Sequence, residues 1–181
     1  MSDIPPRPGD RAPEAEIARM IRVDHAGEYG AKRIYAGQLA VLGRGPRGDT
    51  LRHMQEQEEG HLARFSALIG ERRVRPTALL PLWHVAGFAL GALTAAMGER
   101  AAMACTVAVE EAIDEHYAAQ IEALPEDEAD LSATIAQFRA EELQHRDIGL
   151  AHGAEQAPGY RVLRAAIKAG CRAAIAISER V

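Results

Sequence analysis

Apolar residues recur near helical spacing along most of the chain, and a few breaks divide the pattern into segments. From Pro13 to about Leu42, Ile17, Met20, Ile21, Ile34 and Leu39 mark one amphipathic helix. Pro13 is tolerated there because a first-turn residue has no intrahelical partner for its missing N–H. The glycines and proline of "GRGPRGD" (43–49) end that helix. Asp49 or Thr50 is the predicted cap of a second helix reaching about Ile69, with Leu51, Met54, Leu62, Phe65 and Leu68 as its apolar positions. Glu99 to about Leu124 predicts another helix, stopped at Pro125. Asp127 or Asp130 starts the next, which runs to about His152. Pro158 opens a last helix, about 158–180.

The stretch from Pro76 to Gly98 breaks the amphipathic rule. It contains no Asp, Glu, Lys or Arg, and its length matches the roughly 20 apolar residues of a membrane span. Pro81, His84 and three glycines count against a span. Three readings stay open: a span, a buried core helix, or a helix (about 77–97) partly embedded in a membrane face. In the last helix Arg161, Arg164, Lys168 and Arg172 form a basic stripe opposite Leu163, Ile167, Ala174 and Ile177. That stripe is either a solvated face or a contact with anionic lipid.

No strand signal appears, and six helices with short connections predict an all-α bundle. The 181 residues suit one domain over 13–181, behind a polar, Pro-rich tail at 1–12 expected to be flexible. Aromatic residues make up only 4% while Ala is abundant, which favours helix over sheet. A net charge of −5 argues against nucleic acid as a partner. Cys105 and Cys171 form no CxxC pattern, and the N-terminus has no apolar signal core, so a reduced cytoplasmic setting is expected.

An internal repeat carries the chemistry. "EYGAKRIYAGQ" (28–38) and "EEAIDEHYAAQ" (110–120) share Glu28/Glu110, Tyr35/Tyr117, Ala36/Ala118 and Gln38/Gln120. Each is followed by a helix bearing Glu-x-x-His, namely Glu58 with His61 and Glu142 with His145. The intervals are nearly equal, 30 residues from Glu28 to Glu58 and 32 from Glu110 to Glu142. Such an interval fits a helix end, a turn and a return helix. Two helix pairs packed face to face would bring four carboxylates and two imidazoles to one centre. That is the ligand inventory of a ferritin-like dinuclear carboxylate site. Two divalent cations would offset four buried negative charges that otherwise repel one another. Oxygen and imidazole donors suit iron or manganese.

"EELQH" (141–145) poses a choice between Glu141 and Glu142 as the partner of His145. Its counterpart "QEEGH" (57–61) has Gln57 where Glu141 stands. Only the three-residue spacing is a carboxylate in both copies, so Glu142 is assigned as ligand and Glu141 to an outer position. A zinc hydrolase would carry His-Glu-x-x-His and a serine hydrolase Gly-x-Ser-x-Gly; neither occurs.

The stretches "RVDHAGEYGAKRIYAGQ" (22–38), "RPTALLPLWHVAGFALGA" (75–92), "ACTVAVEEAIDEHYAAQI" (104–121), "FRAEELQHRDIGLAHGAE" (138–155) and "AGCRAAIAISERV" (169–181) resemble the demethoxyubiquinone hydroxylases of ubiquinone biosynthesis, in their bacterial form. The resemblance runs from about Ile17 to the C-terminus. It implies a ferritin-like four-helix bundle with two additional helices, holding two iron ions on Glu28, Glu58, His61, Glu110, Glu142 and His145. Glu58 and Glu142 are the expected bridging ligands. It further implies a monooxygenase that uses O2 and two electrons to hydroxylate a polyprenylated benzoquinol ring. His116 and Tyr117, about two turns after Glu110, are the expected orienting partners of the ligands. The polyprenyl tail needs an apolar path, for which Leu79, Leu80, Leu82, Trp83, Val85, Phe88 and Leu90 are candidates. A peripheral position on the cytoplasmic face of the inner membrane, a lipid-binding accessory partner and an oligomer are also implied. The competing readings are an iron-storage or peroxide-removing protein with the same ligands, and a membrane-surface scaffold without activity.

Overall fold

The computed structural model describes residues 13–181, so the expected tail at 1–12 lies outside the described residues. Six helices follow in order: α1 (Pro13–Leu42), α2 (Pro46–Glu71), α3 (Leu80–Ala96), α4 (Glu99–Ala123), α5 (Ala129–Ala151) and α6 (Tyr160–Ser178). No strand forms among the described residues.

Helix starts differ from expectation at α2, α3 and α6, α3 beginning at Leu80 and not at about 77. α2 begins at Pro46, earlier than the Asp49 or Thr50 cap. Gly45 adopts a left-handed φ of 73° and Pro46 takes the first helical position, where its fixed φ suits the turn. Asp49 instead sits in the first turn and accepts a hydrogen bond from Arg52 at 2.6 Å. α6 begins two residues after Pro158, because Gly159 turns the chain with a φ of 70°.

α1 packs against α2 and α3, and α4 packs against α5 and α6. The four long helices α1, α2, α4 and α5 share two apolar layers. One joins Met20 and Ile21, Phe65, Tyr117, Ile135 and Phe138. The other joins Tyr35, Leu51 and Met54, Met103 and Val107. Glu28, Glu58, Glu110 and Glu142 fall between these layers along their helices. Burying each large side chain contributes about 2 kcal/mol, so polar groups are held at the centre by apolar packing above and below.

The charge-free segment resolves into neither a span nor a core helix. No helix among the described residues is long and apolar enough to cross a membrane. α3 lies on the outside, with Leu82, Val85, Leu93 and Met97 exposed. Its inner face is made of small residues that let it approach α1 closely. A methyl on Gly91 would collide with the Ile34 carbonyl, and one on Gly37 with the Phe88 carbonyl. The basic stripe of α6 is largely committed to α4. Arg164 and Lys168 reach Glu111 at 2.7 and 3.1 Å, and Lys168 and Arg172 each reach Glu115 at 2.8 Å.

Candidate metal centre

Each helix of the central four contributes what its repeat position predicts: Glu28 from α1, Glu58 and His61 from α2, Glu110 from α4, Glu142 and His145 from α5. All six side chains are buried. They form two overlapping groups, Glu28–Glu58–His61–Glu142 and Glu58–Glu110–Glu142–His145. In each group one donor atom per residue lies within 4.8 Å of the others, so each group could hold a metal ion. Glu58 and Glu142 belong to both groups, as bridging requires.

The donor set fits a pair of cations. Glu58 Oε2 and Glu110 Oε2 are buried without a hydrogen-bond partner, and Glu28 Oε2, Glu58 Oε1 and Glu142 Oε1 have only a histidine Nδ1 at 3.0–3.4 Å. Unpaired buried carboxylate oxygens are costly, and cations between them would satisfy them. Both imidazoles turn Nδ1 inward, His61 to 3.0 Å from Glu142 and His145 to 3.2 Å from Glu58.

The electrostatics carry the same strain. Burial raises Glu28, and it raises Glu58 and Glu110 well above the usual carboxylate range, with Glu142 adding repulsion in each case. Burial also pushes Glu142 up, but hydrogen bonds with His145 and His61 outweigh it and hold that group at about 2. Burial opposes the His61 cation, yet Glu142 and Glu28 raise it to about 11. Without metal, the cluster therefore keeps protons on His61 and on its less favoured carboxyls.

The surrounding hydrogen bonds cross between the halves. Tyr117 of the second half donates to Glu28 of the first. Tyr35 of the first donates to Glu110 of the second at 2.7 Å. Burial raises both phenols far above their ordinary value, so they remain neutral donors. His61 Nε2 meets Glu141 at 2.6 Å, and His145 Nε2 meets Gln57 at 3.0 Å. Partners of this kind fix the ring orientation of a ligand histidine. Glu141 thus takes the outer position expected of it. Gln57 was legible only as the repeat counterpart of Glu141, and its service to the other half was not.

His116 stands elsewhere than beside a ligand. Its Nε2 lies 3.2 Å from Asp24 Oδ1, which also accepts from Gln120 Nε2 at 2.8 Å. Burial raises Asp24, while these two hydrogen bonds oppose the rise. No sequence signal marked Asp24, because its partners lie more than 90 residues away.

Two openings flank the centre. A cavity of 530 Å³ lies among α1, α3, α4 and α6, and Glu28, Tyr117, Asp24 and His116 are among its lining residues. Its walls are apolar, and its volume lies in the range of small-molecule sites. Of the side chains expected to line a tail path, Trp83 and Leu90 do so. Leu82 and Val85 are more than half exposed and face outward instead, because α3 turns its small residues to α1. On the other side, a recess of 430 Å³ between α2 and α5 is lined by polar groups including Gln57, Arg64 and Glu141, and it reaches His61.

Comparison with known proteins agrees with this geometry. The family described as ubiquinone biosynthesis protein COQ7 matches residues 15–178. A 3-demethoxyubiquinol 3-hydroxylase of Rhodospirillum rubrum is 63% identical over 175 residues, covering 96% of this chain and 82% of the relative. An NADPH-dependent 3-demethoxyubiquinone 3-hydroxylase of Homo sapiens, mitochondrial, is 57% identical, covering 95% and 81%. A 5-demethoxyubiquinone hydroxylase of Saccharomyces cerevisiae, also mitochondrial, is 43% identical, covering 94% and 80%.

Proposed function

The chain belongs to the COQ7 family of ubiquinone biosynthesis proteins, and from that premise we propose that it is a monooxygenase hydroxylating the benzoquinol ring of a polyprenylated demethoxyubiquinol with O2 and two electrons. The observation that carries this reading is the pair of overlapping buried carboxylate–imidazole groups, one of which borders an apolar cavity through Glu28. Iron, when bound, would supply two-electron chemistry and the activation of oxygen.

The protein's own residues then have distinct tasks. Glu58 and Glu142 would bridge the two irons. Glu28 with His61 and Glu110 with His145 would complete their separate ligand sets. Tyr117 and Tyr35 hold the two terminal carboxylates, and Glu141 and Gln57 hold the two imidazoles. The ring would lie beside Glu28 in the cavity, with the tail between α3 and α6. Apolar walls there exclude water from the reacting ring. Trp83, whose Nε1 donates to Ser178 Oγ at 3.2 Å, ties α3 to α6 along that path.

The outward Leu82, Val85 and Leu93 of α3 and Met97 just after it, with Val162 and Ile177 of α6, would rest on a membrane surface or on a lipid-binding accessory protein. This is a peripheral arrangement on the cytoplasmic face of the inner membrane, and one that also suits an oligomer. Iron storage with the same ligands would require neither the cavity nor this apolar exterior.

Product analysis tests the reading. Reduced, iron-loaded protein is incubated with a short-chain demethoxyquinol and labelled O2, with NADPH as the first electron donor to try. One labelled oxygen should enter the ring. Reoxidation of the iron without labelled hydroxyquinol would sink the hydroxylase reading and favour storage.

A further inference from the structure

The glycines within the helices divide by what an added Cβ would meet. At Gly37, Gly87, Gly91 and Gly149 it would come under 3.0 Å from an atom of a neighbouring helix, so close packing accounts for the missing side chain. At Gly27 and Gly30 of α1 and Gly170 of α6 it would meet nothing within 4 Å. All three line the 530 Å³ cavity. Gly60 and Gly70 share the open space but do not line this cavity. Glycine is among the least favourable residues in a helix interior, and Gly27 and Gly30 would accept an alanine without a clash. Nothing in the fold therefore asks for bare backbone there. Gly27 is exposed although Val23, Asp24, Ala26 and Glu28 around it are buried, and it borders the cavity.

A polar atom beside these glycines points to a ligand. Asp24 is buried and lines the cavity, and its Oδ2 has no hydrogen-bond partner. Such an atom is costly unless an incoming group pairs with it. Asp24, Gly27 and Gly30 follow one another at steps of three, so they neighbour one another along α1. They span six residues, about 9 Å of helix. A ligand can approach the backbone more closely at glycine than at any other residue. Resting on the hydroxylase reading, we propose that Gly27 and Gly30 are specificity-determining residues: the substituted ring lies against their bare backbone, with one ring oxygen paired to Asp24 Oδ2, and the space they leave admits its methyl and methoxy groups. A methyl added at either position lifts that ring off α1. A ring without those two groups has room to shift and is little affected.

Trp83 is the single tryptophan of the chain and lines this cavity, so its fluorescence reports occupancy. Full-length protein loaded anaerobically with iron(II) is titrated with a short-chain demethoxyquinol and with the same quinol stripped of its methyl and methoxy groups. Gly27→Ala and Gly30→Ala should each bind the substituted quinol at least about tenfold more weakly than wild type, with less than about a threefold change for the stripped ring. Denaturant midpoints measured without quinol should rise in both variants, since alanine is the better helix residue and meets open space. Gly60→Ala, away from the cavity, should raise the midpoint and bind both rings as wild type does. Unchanged affinity for the substituted quinol in both cavity variants would overturn the proposal, as would equal weakening of the two rings. A fall in midpoint would also overturn it, by assigning the two glycines to the fold. If wild type binds neither ring, the hydroxylase reading itself fails, and the proposal with it.

Discussion

The pair α1–α2 and the pair α4–α5 carry the same ligand pattern in different surroundings. Each supplies one Glu and one Glu-x-x-His, and each lends a tyrosine to the other's carboxylate. The differences lie one layer out. His61 faces a carboxylate, Glu141, whereas His145 faces an amide, Gln57. Gln120 reaches across to Asp24, whereas its counterpart Gln38 reaches across to the Ala102 carbonyl at 3.1 Å and to Thr106. Glu28 lines the apolar cavity, and Glu110 is not among its lining residues. The common part of the repeat builds a centre that could hold metal, and the divergent part lies where one side of that centre meets the apolar cavity.

Replacing the shared carboxylates should break this comparison most severely. Glu58→Ala or Glu142→Ala removes a ligand from both groups, so iron should fall from about two per chain to almost none. Glu110→Ala touches one group and should leave about one iron. Metal analysis of folded, purified variants decides this, and a Glu142→Ala protein that keeps both irons would refute the shared role.

The next effect distinguishes the helix that α1 carries from the rest of the bundle. Gly91→Val forces a side chain into the Ile34 carbonyl and should destabilise the protein by about 3 kcal/mol. Gly60→Ala meets open space within a helix and should stabilise it by about 0.5–1 kcal/mol. Denaturant unfolding of the two variants reads both signs at once, and equal effects would contradict the close approach of α3 to α1.

Without metal, stability should fall as pH rises. His61 is raised to about 11 in the folded chain, from about 6.5 when unfolded. Its contribution is fully present below about 6.5 and is lost as pH climbs towards 11. The raised carboxyls of Glu28, Glu58 and Glu110 act in the same direction above the ordinary carboxylate range. Glu142, held at about 2, acts oppositely, but only as pH falls below the ordinary carboxylate range. Metal displaces the retained protons, so its affinity should rise with pH. Melting of metal-free and metal-loaded protein between about pH 6.5 and 8.5 tests this. A metal-free Tm that stays flat over that window would contradict it.

The mildest change makes the halves more alike. Glu141→Gln gives His61 the amide partner that His145 already has. Both irons should remain, with affinity reduced by about tenfold or less, measured by competition with a chelator. Complete iron loss would return Glu141 to the ligand set.

The sequence made the six helices and the six residues of the buried carboxylate–imidazole cluster legible because both rest on periodicity. Helical spacing located α1 and α4, and the repeat chose Glu142 over Glu141. The exchange of Tyr35 and Tyr117 was not legible, since a repeat shows which residues are equivalent without showing which half each one serves. Asp24 was invisible because its partners are remote along the chain. The lining of the cavity was misread at Leu82 and Val85 because apolar composition does not say which face of α3 meets α1. The start of α2 departs from the capping expectation because Pro46, following the left-handed φ of Gly45, opens the helix before Asp49.

The exchanged tyrosines also bear on how such a molecule could arise and fold. A duplicated helix pair with self-contained hydrogen bonds would form two modules, each able to open while the other stays closed. Here each candidate ion site draws ligands from both pairs, and each terminal carboxylate is held from the opposite pair. Parting the halves would dismantle both sites together. The two repeats form a single unit, in which neither half holds a complete candidate site of its own.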